Sequence, residues 1–244
     1  MRHLILCSVM WLCGLLMAVG QNVPQVIPAL QQWKSAKGKL VLPETGKVIV
    51  SLDEEIELKG EAEILVQDLK EMFGWEYSVV IGKKEKGAVY LTLGKPDKTL
   101  GEEGYRMNIQ GEVTIEAPTS KGVFWGTRTL LQMLHNQPEG LMKGRATDFP
   151  LYPNRGFMID VGRKFFTMDY LRDYVKILSF YKMNELQVHL NDNGFVEFFD
   201  NDWNKTYAAF RLESERFPGL TAKDGSYTKE EFRDFQIMAA RYGG

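Results

Sequence analysis

The residues best able to do chemistry stand where two short apolar runs stop. Asp160-Val-Gly-Arg163 follows the run that starts at Phe157, and Asn191-Asp192-Asn193 follows Leu186–Leu190. If both runs are parallel strands, the two polar clusters fall at carboxyl ends, where α/β folds gather their ligands. Arg163 carries a planar fork of N–H donors, suited to paired hydroxyls or a carboxylate. Asp192 can accept a hydrogen bond from a hydroxyl, or orient a neighbouring histidine or acid. The same spacing equally allows a structural ion pair between Arg163 and Asp160 or Asp192.

Other chemistries find less support. His189 alternates with Val188 and Leu190, the pattern of a hydrogen-bonded core histidine rather than a ligand. Both cysteines, Cys7 and Cys13, precede residue 20, and the chain has three histidines, so no transition-metal site and no cofactor are expected. "GVFWG" sits in a helical pattern and lacks a phosphate-loop lysine, and no G-x-S-x-G elbow occurs. A net charge of −2 without a run of five basic residues argues against nucleic acid and leaves small neutral substrates.

The elements that must position these residues can be traced by period. In the first region Ala62, Leu65, Val66, Leu69, Met72 and Phe73 form a helical stripe stopped by Gly74. Strands are expected at Tyr77–Ile81 and Ala88–Leu93, a hairpin about Gln110-Gly111, and a second helix over Ser120–His135. Strands with antiparallel pairing and two helices suggest a small α+β domain. "ATDFPLYPNRG" has two prolines and no period, which places a boundary near residue 150. Beyond it the order is strand, helix, strand, helix. Thr167 is the expected N-cap of the first of these helices, and Thr228-Lys-Glu-Glu231 forms a capping box for the second. That order favours parallel strands with crossover helices.

The connection from Asn191 to Tyr227 is long and holds Phe195, Phe198, Phe199, Trp203, Tyr207, Phe210 and Phe217, too aromatic for disorder. Its rings either pack on one another or offer faces for a sugar. Asn204-Lys-Thr206 fits the glycosylation tripeptide. At the other end, Arg2 and His3 precede an apolar stretch, Leu4–Val19, that closes on small residues through Gly20. This is the pattern of a cleaved export signal over residues 1–20, giving a periplasmic, cell-surface or secreted protein. The stretch falls short of the roughly 20 residues of a stable membrane span. Leu12 before Cys13 is not the small residue of a lipid-anchoring site.

Three segments carry a family resemblance. "NRGFMIDVGRKFFTMDYLRDYVKILSFYKMNELQVHLNDNGF" resembles the opening of the catalytic barrel in family 20 glycoside hydrolases, the β-N-acetylhexosaminidases. "GEEGYRMNIQGEVTIEAPTSKGVFWGTRTLLQML" resembles the α+β domain before that barrel, and "AAFRLESERFPGLTAKDGSYTKEEFRDF" resembles its second strand-to-helix loop and following helix. The resemblance implies an α+β domain over residues 21–150. After it, over 151–244, come the first two βα units of an incomplete TIM (β/α)8 barrel. It also implies that Arg163 grips the outer hydroxyls of a terminal sugar, and that Asp192 is the first acid of an Asp-Asp pair supporting the catalytic acid. Arg155 takes the place of a structural arginine. The second acid of that pair is Asn193 here, a departure that touches the geometry of the aglycone side.

The implied partners are glycans ending in N-acetylglucosamine or N-acetylgalactosamine. The implied reaction is substrate-assisted retaining hydrolysis by an exo-acting enzyme. The Asp-Glu pair that would orient the acetamido group and donate the proton has no counterpart in the sequence. A barrel takes roughly 250 residues, so the chain is expected to be a truncated portion, inactive alone. Asp53-Glu54, Glu102-Glu103 and Glu230-Glu231 lie off any route to the site. A non-catalytic carbohydrate-binding protein and an inert remnant remain alternatives.

Overall fold

The computed structural model describes residues 23–202 and 208–243. The expected export segment, with Cys7 and Cys13, lies outside the described residues, as do Trp203, the Asn204–Thr206 tripeptide and Tyr207. The chain divides between Pro150 and Leu151 into two compact units.

The first unit contains β1 (Gln32–Leu40), β2 (Thr45–Val50), α1 (Glu55–Phe73), β3 (Glu76–Ile81) and β4 (Val89–Leu93). The hairpin β5 (Tyr105–Ile109) and β6 (Val113–Ala117) follows, then α2 (Ser120–Asn136) and β7 (Leu141–Asp148). One sheet takes all seven strands in the order β1-β7-β5-β6-β4-β2-β3. It is mixed rather than antiparallel throughout: β2 runs parallel to β3 and β4, and β4 parallel to β6. The reason lies in α1. A helix between β2 and β3 returns the chain in the same direction, whereas the short turn between β5 and β6 reverses it. Val48, Ile49 and Val50 are fully buried in consecutive positions, as expected for a parallel strand covered on both faces.

Both helices pack on this sheet and on each other. Helix α1 ends where its stripe predicts, with Gly74 left-handed at φ 71° and its N–H donating to Leu69 and Lys70 carbonyls. Helix α2 is buried along most of its length, and its Arg128 meets Asp68 of α1 at 2.5 Å. Strands β1 and β7 carry no clear alternation, because β1 is exposed at seven of nine positions and is held by pairing with β7.

The second unit opens with β8 (Gly156–Asp160), α3 (Met168–Phe180) and β9 (Glu185–His189). Strand β8 pairs with β9 in parallel, Gly156 opposite Glu185 and Asp160 opposite His189. Thr167 caps α3 by accepting from the Tyr170 N–H at 3.2 Å. The long connection is built rather than loose: β10 (Asn191–Asn193) pairs antiparallel with β11 (Ala208–Phe210), and single bridges join Phe210 to Thr221 and Leu212 to Tyr227. Helix α4 (Lys229–Arg241) closes the unit.

The capping box of α4 is complete. Thr228 Oγ1 accepts from the Glu231 N–H at 3.0 Å, and Glu231 Oε2 accepts from the Thr228 N–H at 2.9 Å. These bonds, chiefly from the Thr228 backbone N–H, hold the Glu231 carboxyl below its usual range. A depressed carboxyl stabilises the fold above the ordinary glutamate value near pH ~4.3, and that support is lost as pH falls through the depressed value. Thr228→Ala is expected to cost about 1 kcal/mol, read as a lower midpoint for the thermal transition of the second unit. Among the described residues, no helix is long and apolar enough to cross a membrane.

Candidate functional site

The site forms at the carboxyl ends of β8 and β9. Past Asp160 the chain turns sharply, and the N–H groups of Val161 and Gly162 both donate to the His189 carbonyl, at 3.2 and 3.0 Å. Gly162 then passes directly over the Asn191–Asp192 backbone. A Cβ there would stand 2.7 Å from the Asp192 nitrogen and 2.9 Å from the Asn191 carbonyl carbon, so only glycine fits this crossing. The close approach delivers Arg163 onto Asp192.

Arg163 pairs with both acids at once. Its Nη1 donates to Asp160 Oδ2 at 2.6 Å and its Nη2 lies 2.8 Å from Asp192 Oδ2. Its backbone N–H donates to the other Asp160 oxygen at 3.0 Å, closing the turn. The two structural pairings allowed by sequence therefore coexist, and they fix the fork without burying it, since the side chain remains 34% exposed. The guanidinium lies 4.8 Å from the centroid of Phe195, which adds a cation–π contact.

Asp192 is the hub. Besides Arg163, its Oδ2 lies 2.8 Å from His189 Nε2, and its Oδ1 accepts from the Asn193 N–H at 2.8 Å. An ionised carboxylate only accepts, so His189 Nε2 carries the proton in this pair. His189 is hydrogen-bonded as its alternation suggests, but it is not a core residue. Its side chain is 36% exposed and belongs to the site. The hydrogen bond from His189, then the Asn193 N–H and the Arg163 charge, hold the Asp192 carboxyl below its usual range against partial burial. Burial opposes ionisation of Asp160 too, but its bonds from Arg163 prevail and its carboxyl is also lowered. Neither acid keeps a proton near neutral pH. The cluster can grip hydroxyls and orient a partner; it does not supply an acid catalyst.

The remaining acid pairs have structural work. Glu54 accepts from the Leu93 N–H at 2.8 Å, Glu103 pairs with Lys121 at 2.8 Å, and Glu231 completes its capping box. Arg155 donates through Nε to the Lys182 carbonyl at 2.7 Å and through Nη1 to Tyr152 at 2.8 Å, a backbone clamp below the sheet's entry. The aromatic connection does not simply fold onto itself. Phe195 and Phe198 meet edge to face at 6.0 Å and both remain exposed, Phe195 against Arg163.

One residue of the assembly is absent from the sequence reading. Arg211 is fully buried. It donates to the Val161 carbonyl at 2.6 Å and the Gly162 carbonyl at 3.1 Å, and it pairs with Asp224 at 2.5 Å. A single arginine between Phe210 and Leu212, in an otherwise apolar run, was the available signal.

This geometry has counterparts among known proteins. Residues 23–149 match the model for glycosyl hydrolase family 20, domain 2, and residues 152–243 match the glycosyl hydrolase family 20 catalytic domain. A beta-hexosaminidase of Porphyromonas gingivalis is 26% identical over 238 residues, covering 88% of this chain and 28% of the relative. A beta-hexosaminidase of Akkermansia muciniphila is 31% identical over 149 residues, covering 59% of this chain and 30% of the relative. A mutant Streptomyces plicatus beta-hexosaminidase solved with its product GlcNAc superposes with a TM-score of 0.73 at 26% identity, covering 90% of this chain and 44% of that one. The chain thus spans under half the length of these relatives. Its architecture is an α+β unit followed by the start of a TIM barrel, and on both units the chain belongs to glycosyl hydrolase family 20.

Proposed function

We propose that the chain supplies the sugar-gripping part of an exported exo-β-N-acetylhexosaminidase, an enzyme that removes terminal N-acetylhexosamine from glycans. The observation that carries this reading is the Arg163 fork, held by Asp160 and Asp192 across neighbouring strand ends with its guanidinium still accessible. A fork pinned in this way loses little freedom on meeting two adjacent hydroxyls, which favours binding a pyranose edge. The named relatives act as beta-hexosaminidases, and one of them was captured with GlcNAc, which supports a terminal N-acetylglucosamine substrate.

In this reading hydrolysis is substrate-assisted. The 2-acetamido oxygen of the bound sugar attacks the anomeric carbon as the glycosidic bond breaks, giving an oxazolinium that water then opens. Two successive inversions retain the configuration. The neutral amide serves because it is already held beside the carbon it attacks. Asp192, through His189 and Arg163, sets the charge around the leaving group but gives no proton, because its own carboxyl stays ionised. The proton donor and the residue that orients the acetamido group are assigned to sequence other than these 244 residues. Export is supported by Arg2 and His3 ahead of the apolar Leu4–Val19 stretch.

Two assays test the reading. Expressed with in-frame sequence following Gly244, the protein is expected to release the aryl group from an aryl N-acetyl-β-glucosaminide, whereas residues 1–244 alone are expected to give no turnover. Turnover by the purified 244-residue chain would overturn the assignment of the acid elsewhere. Calorimetry of the same chain with millimolar N-acetylglucosamine separates a purely binding role: saturable heat lost in Arg163→Ala would favour it.

A further inference from the structure

We infer that Arg211 is a positioning residue for Arg163, holding the turn that carries the sugar-gripping guanidinium in place; this rests on the reading of Arg163 given above. The turn Val161–Gly162 has two carbonyls that point away from the strand pairing. Arg211 Nε takes the first at 2.6 Å and Nη2 takes the second at 3.1 Å. One planar group thus fixes two consecutive peptides, and the next residue is Arg163. A lysine, with a single ammonium, could not satisfy both at once with the same geometry.

Arg211 is itself over-determined. Asp224 receives both terminal nitrogens, Oδ1 from Nη1 and Oδ2 from Nη2 at 3.2 Å, and the Gly225 carbonyl accepts from Nη1 at 2.9 Å. The guanidinium lies 5.6 Å from the Phe165 ring. Its backbone is tied as well: the Arg211 N–H donates to Leu190 at 3.1 Å, and its carbonyl accepts from the Tyr227 N–H at 2.7 Å. Tyr227 donates its hydroxyl to the Phe166 carbonyl on the far side of the same turn, and burial pushes that phenol up to about 12, so it stays a donor. Arg211 therefore links the end of β9, the entry to α4 and the Asp160–Arg163 turn through one buried group. Hydrogen bonds to buried carbonyls are costly to leave unmade, so the turn has no cheap alternative position.

The test is a double-mutant cycle in the protein extended past Gly244, with an aryl N-acetyl-β-glucosaminide as substrate. Arg211→Met is expected to lower kcat/KM by on the order of 10- to 100-fold, with KM raised, because a shift of about 1 Å in a binding group costs that much. On an Arg163→Ala background the same substitution is expected to change kcat/KM less than about twofold, since it then has nothing to position. Asp224→Asn leaves both carbonyl bonds available and is expected to keep kcat/KM within about twofold of wild type, with a lower melting temperature. If Arg211→Met does not fold, Arg211→Lys is judged by the same two criteria.

An Arg211 effect of equal size with and without Arg163 would overturn the inference while leaving the functional reading intact. So would a loss of melting temperature with unchanged kcat/KM. If Arg163→Ala itself changed nothing, the functional reading would fail, and this inference with it.

Discussion

In the proposed reading, Arg163→Ala is expected to lower kcat/KM of the extended enzyme by on the order of 10²-fold, the scale for losing a group that positions the substrate. Two losses combine. The substrate loses a donor fork whose direction is fixed by Asp160 at 2.6 Å and Asp192 at 2.8 Å. The two carboxylates lose the cation between them, and Asp192 keeps its hydrogen bonds from His189 and from the Asn193 N–H. KM should rise because hydroxyl contacts are lost from the ground state, and kcat should fall as well where those contacts tighten in the transition state.

The pH dependence separates these losses. In the wild-type protein both carboxyls are held low, so their interactions with Arg163 are complete above the ordinary aspartate value near ~3.9 and vanish as pH falls through the depressed ones. Without Arg163 the carboxyls move back up, and the acid limb of kcat/KM should shift to higher pH. Arg163→Lys keeps the charge but not the fork. It should restore the acid limb while leaving most of the kcat/KM deficit. Unchanged kinetics in Arg163→Ala would remove Arg163 from the site.

How much of this was legible in the sequence depends on the range over which each residue acts. Local signals read well. The α1 stripe, the Gly74 stop, the Thr167 cap and the Thr228 capping box all act within one or two turns, and each stands where its spacing places it. The turn at Gly162 was legible only as a glycine; that it lets one strand end cross another depends on pairing with β9. Strand β1 was not legible because its residues face solvent, and its existence rests on β7, more than a hundred positions away. Arg211 was missed for the same reason. Its partners lie 50 and 13 positions off in sequence, and only the folded connection brings them to one guanidinium. His189 shows the opposite error. Alternation along a strand says which side a residue faces but not whether that side is core or cleft, and at a strand end the two diverge.

The buried pair between the two helices of the first unit carries the largest expected effect on stability. Arg128 and Asp68 meet at 2.5 Å with side chains 2% and 7% exposed, and the guanidinium lies 4.5 Å from the Phe124 ring. Arg128 also donates to Thr127 Oγ1 through Nε at 3.2 Å and Nη2 at 3.1 Å. Asp68→Ala leaves the guanidinium charged, because arginine does not give up its proton at any working pH, yet removes its carboxylate. Breaking a buried ion pair by removing one partner is expected to cost about 3–5 kcal/mol. Equilibrium urea unfolding followed by tryptophan fluorescence, reporting the first unit through Trp33, Trp75 and Trp125, would show it as a lower midpoint. The double variant Asp68→Leu with Arg128→Met should recover most of that loss, since a well-packed apolar pair replaces a buried ion pair at little net cost. A single variant that costs no more than a surface substitution, under about 0.5 kcal/mol, would mean that water reaches Arg128 and that the two helices are held by apolar contact alone.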